Sequence, residues 1–406
     1  MTEPTFVIVG ASLAGLRAAE ALRTEGFAGR VVLIGEEPHL PYDRPPLSKG
    51  VLDGSQSAAS TFLRDESFYA EHQIDVVLGQ RATALRPSEG AVELADGSTI
   101  TAENVLLTTG GRARRLAVPG ADLAGVHELR TLDDALAVGE AFRAGARVVV
   151  IGAGFIGAEV AASARTVGCE VTMLEVADVP LGRVLGRDIC ERYAAHHRRL
   201  GVDLRTGIGI DSIEGIGHVH AVVTADGVRH LADVVVVGVG IVPNVELAAD
   251  AGIRVDNGIT VDELSRTSNP NVFAAGDVTN FHSTFLDRRV RRENWQNATD
   301  QGAAAAAAML GRGKPYREAP WFWSDQYDLK LQMAGNPEPT DDVIWRGTLD
   351  STNFCAFYVR DGVLVGAVGV NRPKDMRAAL ELVVARRMVP EALLADASID
   401  LRKAMR

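Results

Sequence analysis

The sequence predicts an α/β fold, and three observations carry it. The apolar run Thr5-Phe-Val-Ile-Val-Gly10 leads into the loop Gly10-Ala-Ser12-Leu-Ala-Gly15, which opens a helical pattern. The run Arg147-Val-Val-Val-Ile-Gly152 leads in the same way into Gly152-Ala-Gly154-Phe-Ile-Gly157. After Pro315 the texture changes: aromatics cluster at Trp321, Phe322, Trp323 and Tyr327, and short strand-like runs follow. Two Rossmann-like dinucleotide-binding domains plus a C-terminal α+β domain account for all three.

Taken in order, the first unit reads as a strand to Val9, a helix from Leu13 to about Glu25, and a strand over Val31–Ile34. Ala91 to Ile100 reads as a hairpin turning at Asp96-Gly97. The second unit reads as a strand from Arg147, a helix from Phe155 to about Val167, and a strand over 170–175. Val219 to Leu231 is a second hairpin, turning at Asp226-Gly227, and 233–237 is a buried strand. An alanine-rich helix is expected over 299–311. In the last domain strands are expected near 341–346, 354–359 and 364–368, with a helix near Met376–Arg387.

A chain of 406 residues can bury several cores without disulfides or metals. Its formal charge of −11 argues against whole-surface attraction to nucleic acid or anionic lipid. The three cysteines, Cys169, Cys190 and Cys355, have no CxxC spacing, and the nine histidines have no metal spacing. No metal site is expected. His196-His197 reads most simply as a solvated helix face. No apolar run reaches the roughly 20 residues needed to span a bilayer, and no leader precedes the first strand, so a cytoplasmic location is expected.

The chemistry of the loops follows from their spacing. In such a loop the first glycine permits the tight turn, the last permits close helix–strand packing, and the free N–H groups of the helix N-terminus face a pyrophosphate. Ser12 stands where the middle glycine is usual, and its hydroxyl is itself a candidate phosphate or water ligand. Glu36 follows Gly15 at the end of the next strand, where an acid meets ribose hydroxyls. Glu175 does the same after Gly157, and a carboxylate there repels a 2′-phosphate, so NADH is expected over NADPH. Arg183 and Arg187 follow, as surface charge, as adenine-stacking groups or as partners of a 2′-phosphate.

Further stretches make the chain resemble a known family. They are Leu40-Pro-Tyr-Asp-Arg-Pro-Pro-Leu-Ser-Lys49, Thr108-Thr-Gly-Gly-Arg112, Ala274-Ala-Gly-Asp277 and Ala319-Pro-Trp-Phe-Trp-Ser-Asp-Gln-Tyr327. With the two loops, in this order, they resemble the NADH-dependent ferredoxin reductases of the putidaredoxin reductase type, which serve bacterial cytochrome P450s and aromatic-ring dioxygenases. The resemblance implies a glutathione-reductase-like flavoprotein. Residues 1–111 and 241–315 would form a split FAD domain, 112–240 an inserted NADH domain and 316–406 the C-terminal domain. It implies FAD contacts at Gly10, Ser12, Leu13, Ala14, Gly15, Glu36, Arg44, Lys49, Ala82, Arg130, Asp277 and Trp295. For NADH it implies Gly152, Gly154, Phe155, Ile156, Gly157, Glu159, Glu175, Arg183 and Gly240. Asp277, read as sitting at a helix-opening Gly-Asp, would bind the ribityl chain; its plainer reading is a helix N-cap. Lys49 and Glu159 would pair near the nicotinamide, and Trp323 would cover part of the isoalloxazine.

Hydride acceptance is the flavin's own chemistry, so the protein's part is orientation and charge. Residues 38–60 hold no cysteine, which removes the thiol relay of the disulfide reductases and peroxidases. Electrons should therefore leave the flavin directly, to a one-electron carrier. An acidic [2Fe–2S] ferredoxin fits best, feeding a P450 or dioxygenase. The alternatives are a rubredoxin, or a redox-sensing interaction role like that of apoptosis-inducing factor. The basic run Arg288-Arg-Val-Arg-Arg292, with Arg64, is the candidate dock; its plainer reading is a solvated face.

Overall fold

Each glycine loop stands on a five-stranded parallel sheet, and four strands follow the same order in both, while the fifth comes from later in the chain in the first sheet and from earlier in the second. The computed structural model describes residues 3–182, 184–317 and 320–402. It divides into two compact units: residues 1–43, 61–112 and 241–319 form one, and 44–60, 113–240 and 320–406 the other.

In the first unit the strands run in the order Val272–Ala274, Asn104–Leu107, Thr5–Val9, Arg30–Ile34 and Ile74–Val77. The sheet is buried on both faces, which is why its strands read as continuous apolar runs. Val7 and Val9 enter one core with Val32, Ile34 and Leu107. Phe6 and Ile8 point the other way, into a core with Leu16, Leu22, Leu33 and Met309. The helix Leu13–Thr24 packs on the helix Trp295–Met309, which Asn294 caps through the backbone N–H of Asn297. That second helix begins at Trp295, ahead of the expected residue 299, because its cap lies outside the alanine run.

In the second unit the order is Val202–Arg205, Glu170–Leu174, Arg147–Ile151, Val234–Val237 and Val126–Glu128. Arg147 pairs with Glu170 and Val148 with Val234, in parallel register. The helix Phe155–Val167 ends at Gly168, whose φ of +93° is the left-handed cap glycine tolerates best. Both hairpins expected at the Asp-Gly turns are present as antiparallel pairs.

The C-terminal segment forms a five-stranded antiparallel sheet, ordered Trp321–Gln326, Leu329–Gly335, Val363–Val370, Phe354–Arg360 and Asp342–Arg346. The first two of these strands were not foreseen. Their turn carries no glycine: Tyr327 itself adopts the left-handed conformation, with φ +54°. The helix near the end spans Pro373–Val384, starting at its N-terminal proline. Ile189, Cys190 and Tyr193 of the helix Arg187–Arg199 share a core with Leu331, Phe354, Tyr358 and Val368 of this sheet. His196 and His197 lie on the same helix and are buried, His197 to 1% exposure. The expectation of a solvated histidine face is therefore wrong. The helix's own pattern does not show that a sheet from elsewhere in the chain covers it. Among the described residues no helix is long and apolar enough to cross a membrane.

Candidate functional site

The first loop is built for backbone packing. Gly10 has φ +121°, and a Cβ there would stand 2.3 Å from the Thr108 carbonyl oxygen. A Cβ on Gly15 would lie 2.1 Å from the Gly10 carbonyl. The Thr108 hydroxyl donates to that same carbonyl at 2.9 Å, holding the loop against the neighbouring strand. Ser12 is the N-cap of the Leu13–Thr24 helix, but its side chain makes no cap bond. The N–H groups of Leu13, Ala14 and Gly15 precede the first bond of the helix, which runs from Leu16 to Ser12. An uncapped helix start with a free hydroxyl beside it fits a phosphate.

Of the other candidate FAD residues in this unit, Asp277 stands on a turn. Gly276-Asp277 follows the strand Val272–Ala274, but the next element is the strand Thr279–Ser283. Asp277 therefore opens no helix, and the N-cap reading fails. The helix that meets this turn comes from further along the chain. Its Gln301 side chain accepts from the Gly276 N–H and from the Thr279 hydroxyl, both at 2.8 Å. Gly302 on that helix approaches so close that a Cβ would lie 2.4 Å from the Ala14 carbonyl. Gln301 and Gly302 are not among the expected residues, and Thr108 is so only as the first residue of the 108–112 stretch, without a role. Gln301 leaves one mark in the sequence, as a long polar residue just before the alanine run. Trp295 donates its indole N–H to Asp43 at 2.7 Å. Glu36 is exposed, 3.9 Å from Arg81, and Ala82 starts the strand that follows.

The second loop repeats the packing. Gly152 has φ +99°, and a Cβ on Gly157 would lie 2.0 Å from the Gly152 carbonyl. Gly154 differs: a Cβ there would meet no chain atom within 4 Å, so its missing side chain leaves open space at the helix start. No side chain caps that start, and Phe155, Ile156 and Gly157 have N–H groups ahead of the first helical bond, from Ala158 to Gly154. Glu175 accepts from the Ala153 N–H at 2.6 Å through one oxygen and from the Ala177 N–H at 2.8 Å through the other. Two of its roughly four acceptor positions stay available to a ribose diol. This loop, too, fits a dinucleotide pyrophosphate. Gly240 sits beyond the strand Val234–Val237, φ +101°, its carbonyl accepting from Arg114. Arg183 lies outside the described residues.

Lys49 and Glu159 come together as expected. The ammonium lies 2.7 Å from Glu159 Oε2 and also donates to the Pro45 carbonyl at 3.0 Å. Glu159 is 3% exposed, a burial that a carboxylate tolerates only when paired. Its remaining donors were not foreseen: Ser48 Oγ at 2.5 Å and Ser324 Oγ at 2.7 Å. Lys49 and Trp323 line an open cleft of about 380 Å³ with Pro45, Pro46, Asp53 and Asp325. Arg44 donates to the backbone carbonyl of Arg130. Phe155 packs on Phe322, ring centroids 4.4 Å apart.

The three cysteines are buried and unbridged. Burial pushes the Cys190 thiol up to about 11 and Cys355 up to about 12, and raises Cys169. At neutral pH none is the thiolate that exchange chemistry needs. The basic run is largely committed within its own unit. Arg289 donates to the Asn280 side chain and the Val261 carbonyl, Arg291 pairs with Glu293, and Arg64 pairs with Glu20. Arg288 is exposed.

The chain is similar to known proteins over nearly its whole length. The family described as pyridine nucleotide-disulphide oxidoreductase matches residues 4–302, and the one described as reductase C-terminal matches 321–405. Rhodocoxin reductase of Rhodococcus erythropolis is 40% identical over 402 residues, covering 99% of this chain and 94% of its own. The ferredoxin–NAD(+) reductase component of the anthranilate 1,2-dioxygenase system of Burkholderia cepacia is 41% identical, covering 99% of each. A crystal structure of the covalent putidaredoxin reductase–putidaredoxin complex superposes with a TM-score of 0.96 at 39% identity, covering 100% of this chain and 99% of that one. With two fitted dinucleotide loops and whole-length relatives of this kind, the chain belongs to the pyridine nucleotide-disulphide oxidoreductase family, among the NADH-dependent ferredoxin reductases.

Proposed function

We infer that this protein is an FAD-dependent NADH:ferredoxin oxidoreductase that supplies electrons, through a [2Fe–2S] ferredoxin, to a cytochrome P450 or ring-hydroxylating oxygenase. One observation carries the reading: two loops fitted to dinucleotides stand in one chain whose three thiols are all buried. Bound FAD supplies the exchange between hydride and single electrons. The chain's own residues bind, orient and exclude.

We assign residues 1–111 and 241–315 to FAD, 112–240 to NADH and 316–406 to a C-terminal domain. Gly10 to Gly15 would hold the FAD pyrophosphate, Glu36 its ribose and Asp277 its ribityl chain. Ala82, Arg44, Lys49, Arg130 and Trp295 would complete the set. Gly152 to Gly157 and Gly240 would hold NADH, with Glu175 on the adenosine ribose. Lys49, Glu159 and Trp323 would orient the reacting rings, as near-attack geometry requires. Three unpaired cysteines favour a reducing, cytoplasmic setting. For the dock, Arg288 is the residue to reverse: it is exposed, whereas the equally exposed Arg289 is engaged by Asn280 and the Val261 carbonyl.

The test is steady-state reduction of a panel of [2Fe–2S] ferredoxins and a rubredoxin by NADH, with ferricyanide as the small acceptor. Multiple turnover with a ferredoxin is expected, and should survive replacement of Cys169, Cys190 and Cys355 by Ser or Ala once folding is verified. Turnover with the rubredoxin alone would reassign the carrier. Loss of ferredoxin turnover in the folded triple variant would restore the thiol relay.

A further inference from the structure

A file of buried polar side chains leads away from Glu159 through the second unit. Ser324 Oγ lies 2.7 Å from Glu159 Oε1, and Gln326 Nε2 lies 3.2 Å from Ser324 Oγ. His197 Nε2 lies 2.9 Å from Gln326 Oε1, and the Tyr327 hydroxyl is 3.4 Å from His197 Nδ1. Ser324, Gln326 and His197 are each no more than 1% exposed.

The direction of the file follows from its end. A carboxylate oxygen only accepts, so the single proton of Ser324 goes to Glu159. Ser324 must then accept from the NH2 group of Gln326, which turns the Gln326 oxygen toward His197. That oxygen needs a donor, so His197 carries its proton on Nε2 and accepts from Tyr327 through Nδ1. Burial pushes His197 down to about 4, so the ring is neutral at neutral pH and has only one proton to place. Every bond therefore donates toward Glu159.

The near end of the file is Lys49. Glu159 and the Pro45 carbonyl take two of its three N–H groups, and Lys49 lines the cleft with Trp323. We propose that His197 and Gln326 are positioning residues for the NADH half-reaction: through Ser324 they fix the Glu159 carboxylate, and through it the N–H that Lys49 keeps for a ligand. The proposal rests on the assignment of Lys49 and Glu159 to the reacting rings.

Flavin reduction by NADH, followed by rapid mixing, is the first readout. Ser324→Ala and Gln326→Leu should each slow it at saturating NADH by about tenfold, since small misplacements of an orienting group cost that much or more. The double variant should be no slower than Ser324→Ala, because both act through one bond. His197→Gln, which restores a donor, should be faster than His197→Phe. Electron transfer from dithionite-reduced enzyme to ferredoxin should stay unchanged throughout, which separates positioning from general damage. Additive losses, equal rates for the two His197 variants, or a parallel loss of the dithionite-driven step would overturn the proposal. A wild-type rate in Glu159→Gln would overturn it together with the assignment of Glu159. A slow Glu159→Gln beside a wild-type Gln326→Leu would overturn the proposal alone. The imidazole 15N shifts of His197 need no turnover: the Nε2–H tautomer is expected, and Nδ1–H would sink the directed file.

Discussion

At the middle of the first glycine loop stands Ser12, with a hydroxyl that caps nothing; at the middle of the second stands Gly154, with empty space where a side chain would be. The acids differ as well. Glu36 is exposed and 3.9 Å from Arg81, whereas Glu175 holds the backbone N–H groups of Ala153 and Ala177. On sheets alike in four of their five strands, one loop thus leaves its acid outside the fold and the other uses its acid to shape itself. The second loop is set before its dinucleotide arrives, and binding loses less to ordering. The first relies on contacts from elsewhere, among them the turn that Gln301 holds.

The largest test of this comparison replaces the last glycine of each loop. Gly157→Val puts a side chain against the Gly152 carbonyl and should lower NADH-driven ferricyanide reduction more than 100-fold, roughly the cost of serious overpacking. Bound FAD, read from the absorbance of the purified protein, should stay near one per chain. Gly15→Val should do the reverse and yield colourless protein. If both variants lose FAD equally, the loops do not serve separate cofactors.

Next in size is Glu175. The wild type should prefer NADH to NADPH by about 30- to 1000-fold, a gap of ~2–4 kcal/mol from charge repulsion and a lost diol contact. Glu175→Ala should narrow that gap. Because the same carboxylate holds the Ala153 amide of the loop, the substitution should also raise the KM for NADH. A narrowed gap at unchanged KM would show that the bond to Ala153 does not order the loop.

Gly154→Ala separates stability from binding. The φ of −74° suits alanine and no chain atom is close, so Tm should move by no more than about 2 °C. The KM for NADH should nevertheless rise about tenfold, because the new methyl occupies the pyrophosphate's approach. A large fall in Tm would mean that the space at Gly154 serves packing instead.

The smallest effect is expected at Ser12. Ser12→Gly completes the glycine pattern, costs a helix start only a few tenths of a kcal/mol, and should leave FAD affinity within about tenfold. A loss above ~2 kcal/mol in a fluorescence titration of the apoprotein would make the hydroxyl a required ligand.

What the sequence disclosed divides along a physical line. Both β-α-β units were legible because local pattern determines them: apolar strands, a glycine turn and a helix follow one another without help from distant residues. Helix starts were legible where the cap adjoins the pattern, as at Phe155, and displaced where it does not, as at Trp295. The Trp321–Gln326 strand was hidden by a turn built on Tyr327 rather than glycine. At the site, the Lys49–Glu159 pair was found because each residue sits inside a distinctive motif. Ser324 and Gln326 lie inside the 319–327 stretch but carry no role there, and His197 reads as solvated, because only the folded chain aims these side chains toward Glu159.

The helix Arg187–Arg199 belongs by sequence to the NADH-binding stretch, yet its apolar side is finished by strands that begin some hundred residues later. Anyone exchanging C-terminal modules between reductases by a cut at residue 316 would divide this core. A transplant that leaves this helix behind parts Tyr193 and Cys190 from the strands they pack on, and separates His197 from Gln326. A chimaera that moves the helix and the sheet as one piece keeps that core, and the polar file within it, intact.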